Sequence, residues 1–169
     1  MKKVLNTLFY TTSIGVICIC LLFIAGILEI GHTRGQSMMP TFGEETVILE
    51  LGYPYCGKPE YNDVVSLVVS DEMSDRMNSD IEGKHLLKRV IGLPGDRVYV
   101  ENGAIYVNNN VYEEDKSYYT VCCTDLDITL GENEYFVISD NKNGGIDSRA
   151  FGAVNIKDIY AKHLFTLLG

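Results

Sequence analysis

A serine at position 37 and a lysine at position 88 are the two side chains in this 169-residue chain whose settings suit covalent chemistry. Ser37 lies in Gly35-Gln36-Ser37-Met38-Met39-Pro40-Thr41. Pro40 pushes Met39 toward extended conformations and Gly35 permits a tight backbone approach, so the serine between them is held on a stiff, exposed bend. Lys88 lies in Lys88-Arg89-Val90-Ile91-Gly92-Leu93-Pro94-Gly95-Asp96, an apolar run closed by a Pro-Gly turn. Pro94 presets φ at the second turn position, and Gly95 supplies the positive φ of a type II turn. The segment before the turn, Leu86 to Leu93, therefore reads as a strand. On a period of two, Lys88 shares a face with Leu86 and Val90, while Arg89 shares the other with His85, Leu87 and Ile91.

A lysine with apolar neighbours has a specific use. A free lysine with pKa about 10.4 is neutral in roughly one molecule in 2,500 at pH 7, a deficit of about 4.6 kcal/mol for any role as a base. Burial disfavours the ammonium and lowers the pKa by up to about 3–5 units, which removes most of that deficit. A desolvated lysine then suits the task of taking a proton from a serine hydroxyl. Taken alone, each stretch also has a plainer reading: a snorkelling lysine on an edge strand, and a serine in an ordinary loop.

The surrounding chain sets where this chemistry would happen. From Val4 to Leu28 there are 25 residues without a charge. As a helix they span about 37 Å, against a bilayer core of about 30 Å. A cleavable leader would have a shorter apolar region ending in a small-x-small site, which Phe23 to Leu28 does not offer. Residues 4–28 therefore read as an uncleaved transmembrane anchor. Lys2 and Lys3 precede it, and from Glu29 onward 12 basic residues face 23 acidic ones, a balance of −11. The positive-inside bias puts residues 1–3 in the cytoplasm and residues 29–169 outside. A domain so acidic is poorly suited to nucleic acid or anionic headgroups. Ser37 follows Leu28 by nine residues, so it lies within about 30 Å of the membrane surface even when fully extended.

Beyond the anchor the pattern is mostly β. Thr46 to Glu50, Asp63 to Val69, Tyr135 to Ser139 and Ala161 to Leu168 read as strands. Arg97 to Glu101 and Ala104 to Val107 flank Asn102-Gly103, a strong hairpin signal. Gly52 to Pro59 reads as a Gly/Pro/Tyr loop, and Ser70 to Gly83, with four acidic residues in its first eleven positions, as an exposed loop. Asn108 to Leu130 is less regular and holds Tyr118-Tyr119 and Cys122-Cys123. No metal site is expected: there is no Cys-x-x-Cys, vicinal cysteines chelate one ion poorly, and His32, His85 and His163 are scattered. Cys18 and Cys20 fall within the span. Cys56, Cys122 and Cys123 are open to a disulfide within the irregular segment, to one involving Cys56, or to the reduced state.

Four stretches in order carry a resemblance to a known family. They are Ser37-Met38-Met39-Pro40-Thr41, Tyr61-Asn62-Asp63-Val64-Val65-Ser66-Leu67, the Lys88 to Asp96 run, and Ser139-Asp140-Asn141-Lys142-Asn143-Gly144-Gly145-Ile146-Asp147-Ser148-Arg149-Ala150-Phe151-Gly152. Behind a single N-terminal span, and over nearly the whole length, this chain resembles the bacterial type I signal peptidases. The resemblance implies an antiparallel β-sheet catalytic domain with a small cap at about residues 100–133. It implies a membrane-anchored serine endopeptidase, without cofactor or metal, that cleaves N-terminal signal peptides from exported preproteins after small residues. Ser37 would be the nucleophile and Lys88 the general base. The Ser37 N–H would stabilise the oxyanion. Gly35 stands where some relatives have a serine hydroxyl for that purpose, leaving the second donor to backbone or water.

The same resemblance makes Asp147 and Arg149 a pair bracing the lysine region, and Arg89 with Asp140 a second. Met38, Leu86 and Leu87 match positions lining shallow apolar pockets, and the peptide is expected to lie along the edge of the Val64–Leu67 strand. Three further departures stand out. Asn62 replaces a usual glycine, Lys142 a usual arginine, and Gly145 a serine that in many members hydrogen-bonds the lysine. Archaeal and endoplasmic-reticulum relatives use a histidine where this chain has Lys88, and none of its three histidines has a matching setting. Two other readings stay open: a processing peptidase specialised for a pilus or conjugation substrate, and a catalytically silent anchored β-domain that only binds.

Overall fold

In the computed structural model, residues 2–101, 104–114, 126–141 and 144–169 are described. Helix α1 (Lys2–Ile24) takes up most of the uncharged run, and none of its residues is buried against the rest of the chain. It stops at Ile24, four residues short of the expected Leu28. Gly26 turns the backbone with φ of +66°. The Ile27 carbonyl then accepts the Gly52 N–H at 3.0 Å, and strand β1 (Leu28–His32) begins. The last apolar residues of the run go to a sheet because they pair with β2 (Val47–Gly52), Leu28 opposite Leu51 through His32 opposite Val47.

Seven strands form the main sheet, in the order β1-β2-β11-β3-β4-β9-β10, every pairing antiparallel. The others are β3 (Val64–Val68), β4 (His85–Gly92), β9 (Glu134–Ile138), β10 (Val154–Asn155) and β11 (Ile159–Leu168). A four-stranded sheet, β7-β6-β5-β8, is built from β5 (Arg97–Glu101), β6 (Ala104–Val107), β7 (Asn110–Glu114) and β8 (Asp127–Thr129). It corresponds to the expected cap, begins three residues earlier, and contains the predicted hairpin as β5 and β6. Asn102-Gly103, Tyr118-Tyr119, Cys122-Cys123 and Lys142 lie outside the described residues. The turn at Leu93-Pro94-Gly95-Asp96 forms as its residue types dictate. Gly95 has φ of +92°, and the Asp96 N–H donates to the Leu93 carbonyl at 3.0 Å.

Alternation along the strands sorts side chains into three clusters. Val65 and Leu67 on β3 and Val90 on β4 join Met73, Tyr135 and Phe151 in the largest. Ile91, Phe136 and Ile138 pack against Val98, Val100 and Ile105 of the smaller sheet. Met38, Phe42, Ile48 and Val64 make the third, with Leu87 against it.

The segment from Ser70 to Gly83 is not the exposed loop its charge suggests. Residues Asp71–Arg76 form α2, and Met73 and Ile81 are buried in the main core with Met77 packed beside them. Met73 faces the core from within the helix, Met77 caps it, and Ile81 is delivered by the turn that follows. Met73→Ala is expected to cost about 2–5 kcal/mol in unfolding of the full chain in detergent. Asp75→Ala on the exposed side should stay within about 0.5 kcal/mol. An exposed loop would give near-zero for both.

Candidate active site

Ser37 sits in the connection from β1 to β2, and both sides of its bend are tied down. The Asn141 N–H donates to the Ser37 carbonyl at 2.9 Å, and Asn141 Nδ2 donates to the Gln36 carbonyl at 2.8 Å. The next residue, Met38, is 3% exposed and packs on Phe42, Ile48 and Val64. A hydroxyl on this loop therefore has a fixed address. Gly35 has φ of +89°, the left-handed region that favours glycine.

Lys88 comes to the same point from the sheet. In the β3–β4 register it lies opposite Val65, so it rises from the face of the main core, among the residues its period-two pattern predicts. The Val90 N–H bonds toward β3, at Asp63 O; by alternation the Leu87 carbonyl points to the opposite edge. There Nζ of Lys88 donates to Leu87 O at 2.9 Å and lies 3.0 Å from Ser37 Oγ. Lys88 is 1% exposed. Burial pushes its pKa down to about 8, against the pull of the Asp147 and Asp140 carboxylates, with the Arg149 charge adding to the lowering.

Those two carboxylates are each held by a guanidinium. Arg89 grips Asp140 through Nε–Oδ1 at 2.7 Å and Nη2–Oδ2 at 2.6 Å, while Thr41 Oγ1 donates to Asp140 at 2.5 Å. Arg149 grips Asp147 through Nε–Oδ1 at 2.8 Å and Nη2–Oδ2 at 2.5 Å. Asp147 also accepts the Ser139 N–H at 2.9 Å, tying the end of β9 to α3 (Ser148–Phe151). Fork-on-fork pairing of this kind fixes orientation as well as charge.

A groove opens beside Ser37. It is lined from residue 31 to 35 on one side and from His85 to Lys88 on the other, with Ile48, Glu50, Ser66 and Tyr160 among the residues between. Met38 and Leu87 share its apolar cluster; Leu86 lies on the other face of β4 and packs its side chain against the main core. The expected docking edge is corrected. β3 is flanked by β11 and β4, so Val64–Leu67 has no open edge. The open edge belongs to β4, because β9 pairs only with Arg89, Val90 and Gly92 among the described residues.

The side chain bonded to the Ser37 hydroxyl is Lys88, and two of the histidines are engaged elsewhere. The His163 ring packs edge-on against Phe42, and His85 Nδ1 lies 3.0 Å from the Tyr160 hydroxyl. Among the described residues, no three histidine, cysteine or acidic side chains gather as a metal site would require. Cys56 is a buried free thiol.

Comparison with known proteins decides the family. The model of the family described as signal peptidase, peptidase S26, matches residues 6–168. This chain belongs to that family. Signal peptidase I P of Bacillus subtilis subsp. natto is 30% identical over 138 residues, covering 75% of this chain and 69% of the relative. Signal peptidase IB of Staphylococcus aureus is 30% identical over 186 aligned positions, covering 98% of this chain and 90% of the relative. A crystal structure of a signal peptidase I from Enterococcus faecalis V583 aligns with a TM-score of 0.42 at 26% identity, covering 60% of this chain and 93% of that one. The protein is thus a membrane-anchored serine peptidase that acts on signal peptides.

One residue of the peptidase's site had no warning in its local pattern. Ser139 is 2% exposed, and its Oγ has no hydrogen-bond partner. It lies 2.3 Å from the point where a Cβ on Gly145 would stand, and Ser37 Cβ lies 2.9 Å from that same point. The Ser139 hydroxyl thus occupies the space a side chain at 145 would take, a relation visible only in space. Gly145→Ala should destabilise the protein by about 1–3 kcal/mol through overpacking and the strain of φ +126°. Ser139→Gly in the same chain should recover part of that loss. A double-mutant cycle in thermal unfolding reads the coupling, at about 0.5 kcal/mol or more; strict additivity would rule out the close approach.

Proposed function

We propose that Ser37 is the nucleophile and Lys88 the general base with which this peptidase cleaves signal peptides after small residues, at the outer surface of a bacterial plasma membrane. The observation that carries this is a buried amine 3.0 Å from the Ser37 hydroxyl. At a pKa of about 8 the amine is neutral in roughly one molecule in ten at pH 7, a deficit near 1.4 kcal/mol where a free lysine carries about 4.6.

A neutral amine has two N–H donors and one lone pair. The bond to Leu87 O fixes the rotamer, and the lone pair takes the Ser37 proton as Oγ attacks the scissile carbonyl. The Ser37 N–H faces the developing oxyanion. The ammonium then hands its proton to the leaving amine, giving an acyl-enzyme, and the same nitrogen activates the water that hydrolyses it. Arg149 and Arg89 offset the carboxylates that would otherwise keep Lys88 charged, so the roles of Asp147 and Asp140 are positional.

The substrate lies extended along the open edge of β4, its small side chains toward Met38, Ile48 and Leu87. Helix α1 anchors the chain in the bilayer. Lys2 and Lys3 favour a cytoplasmic N-terminus, which leaves the acidic domain outside, where exported precursors arrive.

Purified full-length protein in detergent, given a secretory precursor, tests this. Below pH 8 the rate should fall about tenfold per pH unit, because protonation removes the base; above pH 8 it should level off. Ser37→Ala and Lys88→Ala should each lose about 10³-fold or more. A flat profile, or cleavage surviving in the Lys88 variant, would remove Lys88 from the mechanism.

A further inference from the structure

We infer that Ser139 is a positioning residue for the base: its hydroxyl accepts a hydrogen bond from the Lys88 nitrogen, and the bond tightens as that nitrogen gains the Ser37 proton. This rests on the roles proposed above for Ser37 and Lys88 and adds a third side chain to them.

The β4–β9 ladder brings the two side chains together. Arg89 stands opposite Ile138 and Val90 opposite Val137. Carried one position past the end of β9, that register sets Lys88 opposite Ser139. Alternation puts both on the face of Val90 and Val137, which lie together in the main core. The Val90 N–H and carbonyl both turn toward β3, meeting Asp63 O and the Asn62 N–H. Val90 and Val137 are therefore a non-hydrogen-bonded pair. Two residues along, Lys88 and Ser139 fall in the same class of position, where facing side chains stand closer. Their outer ends meet as well. Ser139 Oγ and Ser37 Cβ lie 2.3 and 2.9 Å from one point, the place a Gly145 Cβ would take, and Ser37 Oγ is 3.0 Å from Lys88 Nζ.

Donor counting gives this hydroxyl its task. A lysine nitrogen offers three directions besides its bond to carbon. In Lys88 one points to Leu87 O and one to Ser37 Oγ. The direction toward Ser37 holds the lone pair in the neutral amine and a proton in the ammonium, whereas the third is an N–H in both states. That N–H has no acceptor among the described residues, and Ser139 Oγ, 2% exposed, has no partner among them either. A donor and an acceptor buried side by side without partners each carry a desolvation cost, which one bond between them removes. A turn of the Ser139 side chain closes that bond, on a backbone already held by the Ser139 N–H to Asp147 Oδ2. The bond is stronger to an ammonium than to a neutral amine, so it favours the charge that develops as Ser37 attacks. Ser139 does not line the groove, so its effect falls on the reaction and not on substrate binding.

The test follows kcat and KM across pH for full-length protein in detergent with a secretory precursor, beside thermal unfolding. Ser139→Ala removes one oxygen. Ser148→Ala is the comparison, since Ser148 is as deeply buried and its hydroxyl accepts the Val137 N–H at 3.0 Å. The charges acting on Lys88, those of Asp147, Asp140 and Arg149, are unaltered in both variants. Ser139→Ala should lower the plateau kcat about five- to tenfold with KM held within about twofold. Its pH edge should move down by about half a unit or more, because the ammonium loses an acceptor that favoured it. Ser148→Ala should lower Tm by about 2–4 °C and leave the edge in place. A folded Ser139→Ala protein with rate and edge unchanged would overturn the positioning role and leave the dyad intact. So would a Ser139→Ala chain without an unfolding transition, which would mark the hydroxyl as structural, or a Ser148→Ala edge displaced as far. A flat profile in the unaltered protein would overturn the dyad, and the role of Ser139 with it.

Discussion

The site depends on keeping one amine out of water. Burial lowers the pKa of Lys88, and two carboxylates oppose it. Left bare, Asp147 and Asp140 would stabilise the ammonium and return the lysine toward its ordinary range. Each instead carries a bidentate guanidinium, and Arg149 also pushes directly on the lysine. Desolvation then governs. The ion pairs matter less for the stability they add, which for buried pairs is small or uncertain in sign, than for the charge they cancel beside a base.

That balance requires parts of the chain far apart in sequence to meet within hydrogen-bond reach. Asp140 bonds Thr41, 99 residues away, and Arg89, 51 away; Asn141 reaches Gln36 across 105. Loop, strand and Gly-rich segment therefore brace one another rather than standing as separate motifs. Met38 adds the apolar half of the same device, since its burial against Phe42, Ile48 and Val64 locks the residue next to Ser37. A hydroxyl and an amine placed by rigid neighbours lose little freedom when they react.

Much of this was legible in the residues. A period of two placed Lys88 on the core face, with Val90, because β4 keeps one unbroken register with β3 from His85 to Arg89. The Pro-Gly turn and the β5–β6 hairpin were legible because each is dictated by two or three residues. Failures arose where tertiary contacts overrode local pattern. The apolar run from Val4 to Leu28 has one composition, yet its last residue is claimed by β2. Acidic residues around Met73 masked a six-residue helix too brief for its buried side to dominate its composition.

The docking edge and the groove floor failed to show for a deeper reason. Alternation tells which face a side chain takes but not which strand lies beside it. Strand β11, the last in the chain, inserts between β2 and β3, and that single choice closes the edge of Val64–Leu67. Glu50 looks like a stray charge at the end of a strand until β11 and β3 are in place. Ser66 likewise sits within a family stretch without announcing a partner 16 residues away. The dyad's chemistry is written in residues that must be a serine and a lysine, so it can be read one segment at a time. Recognition is written in the register between strands, which no single segment holds.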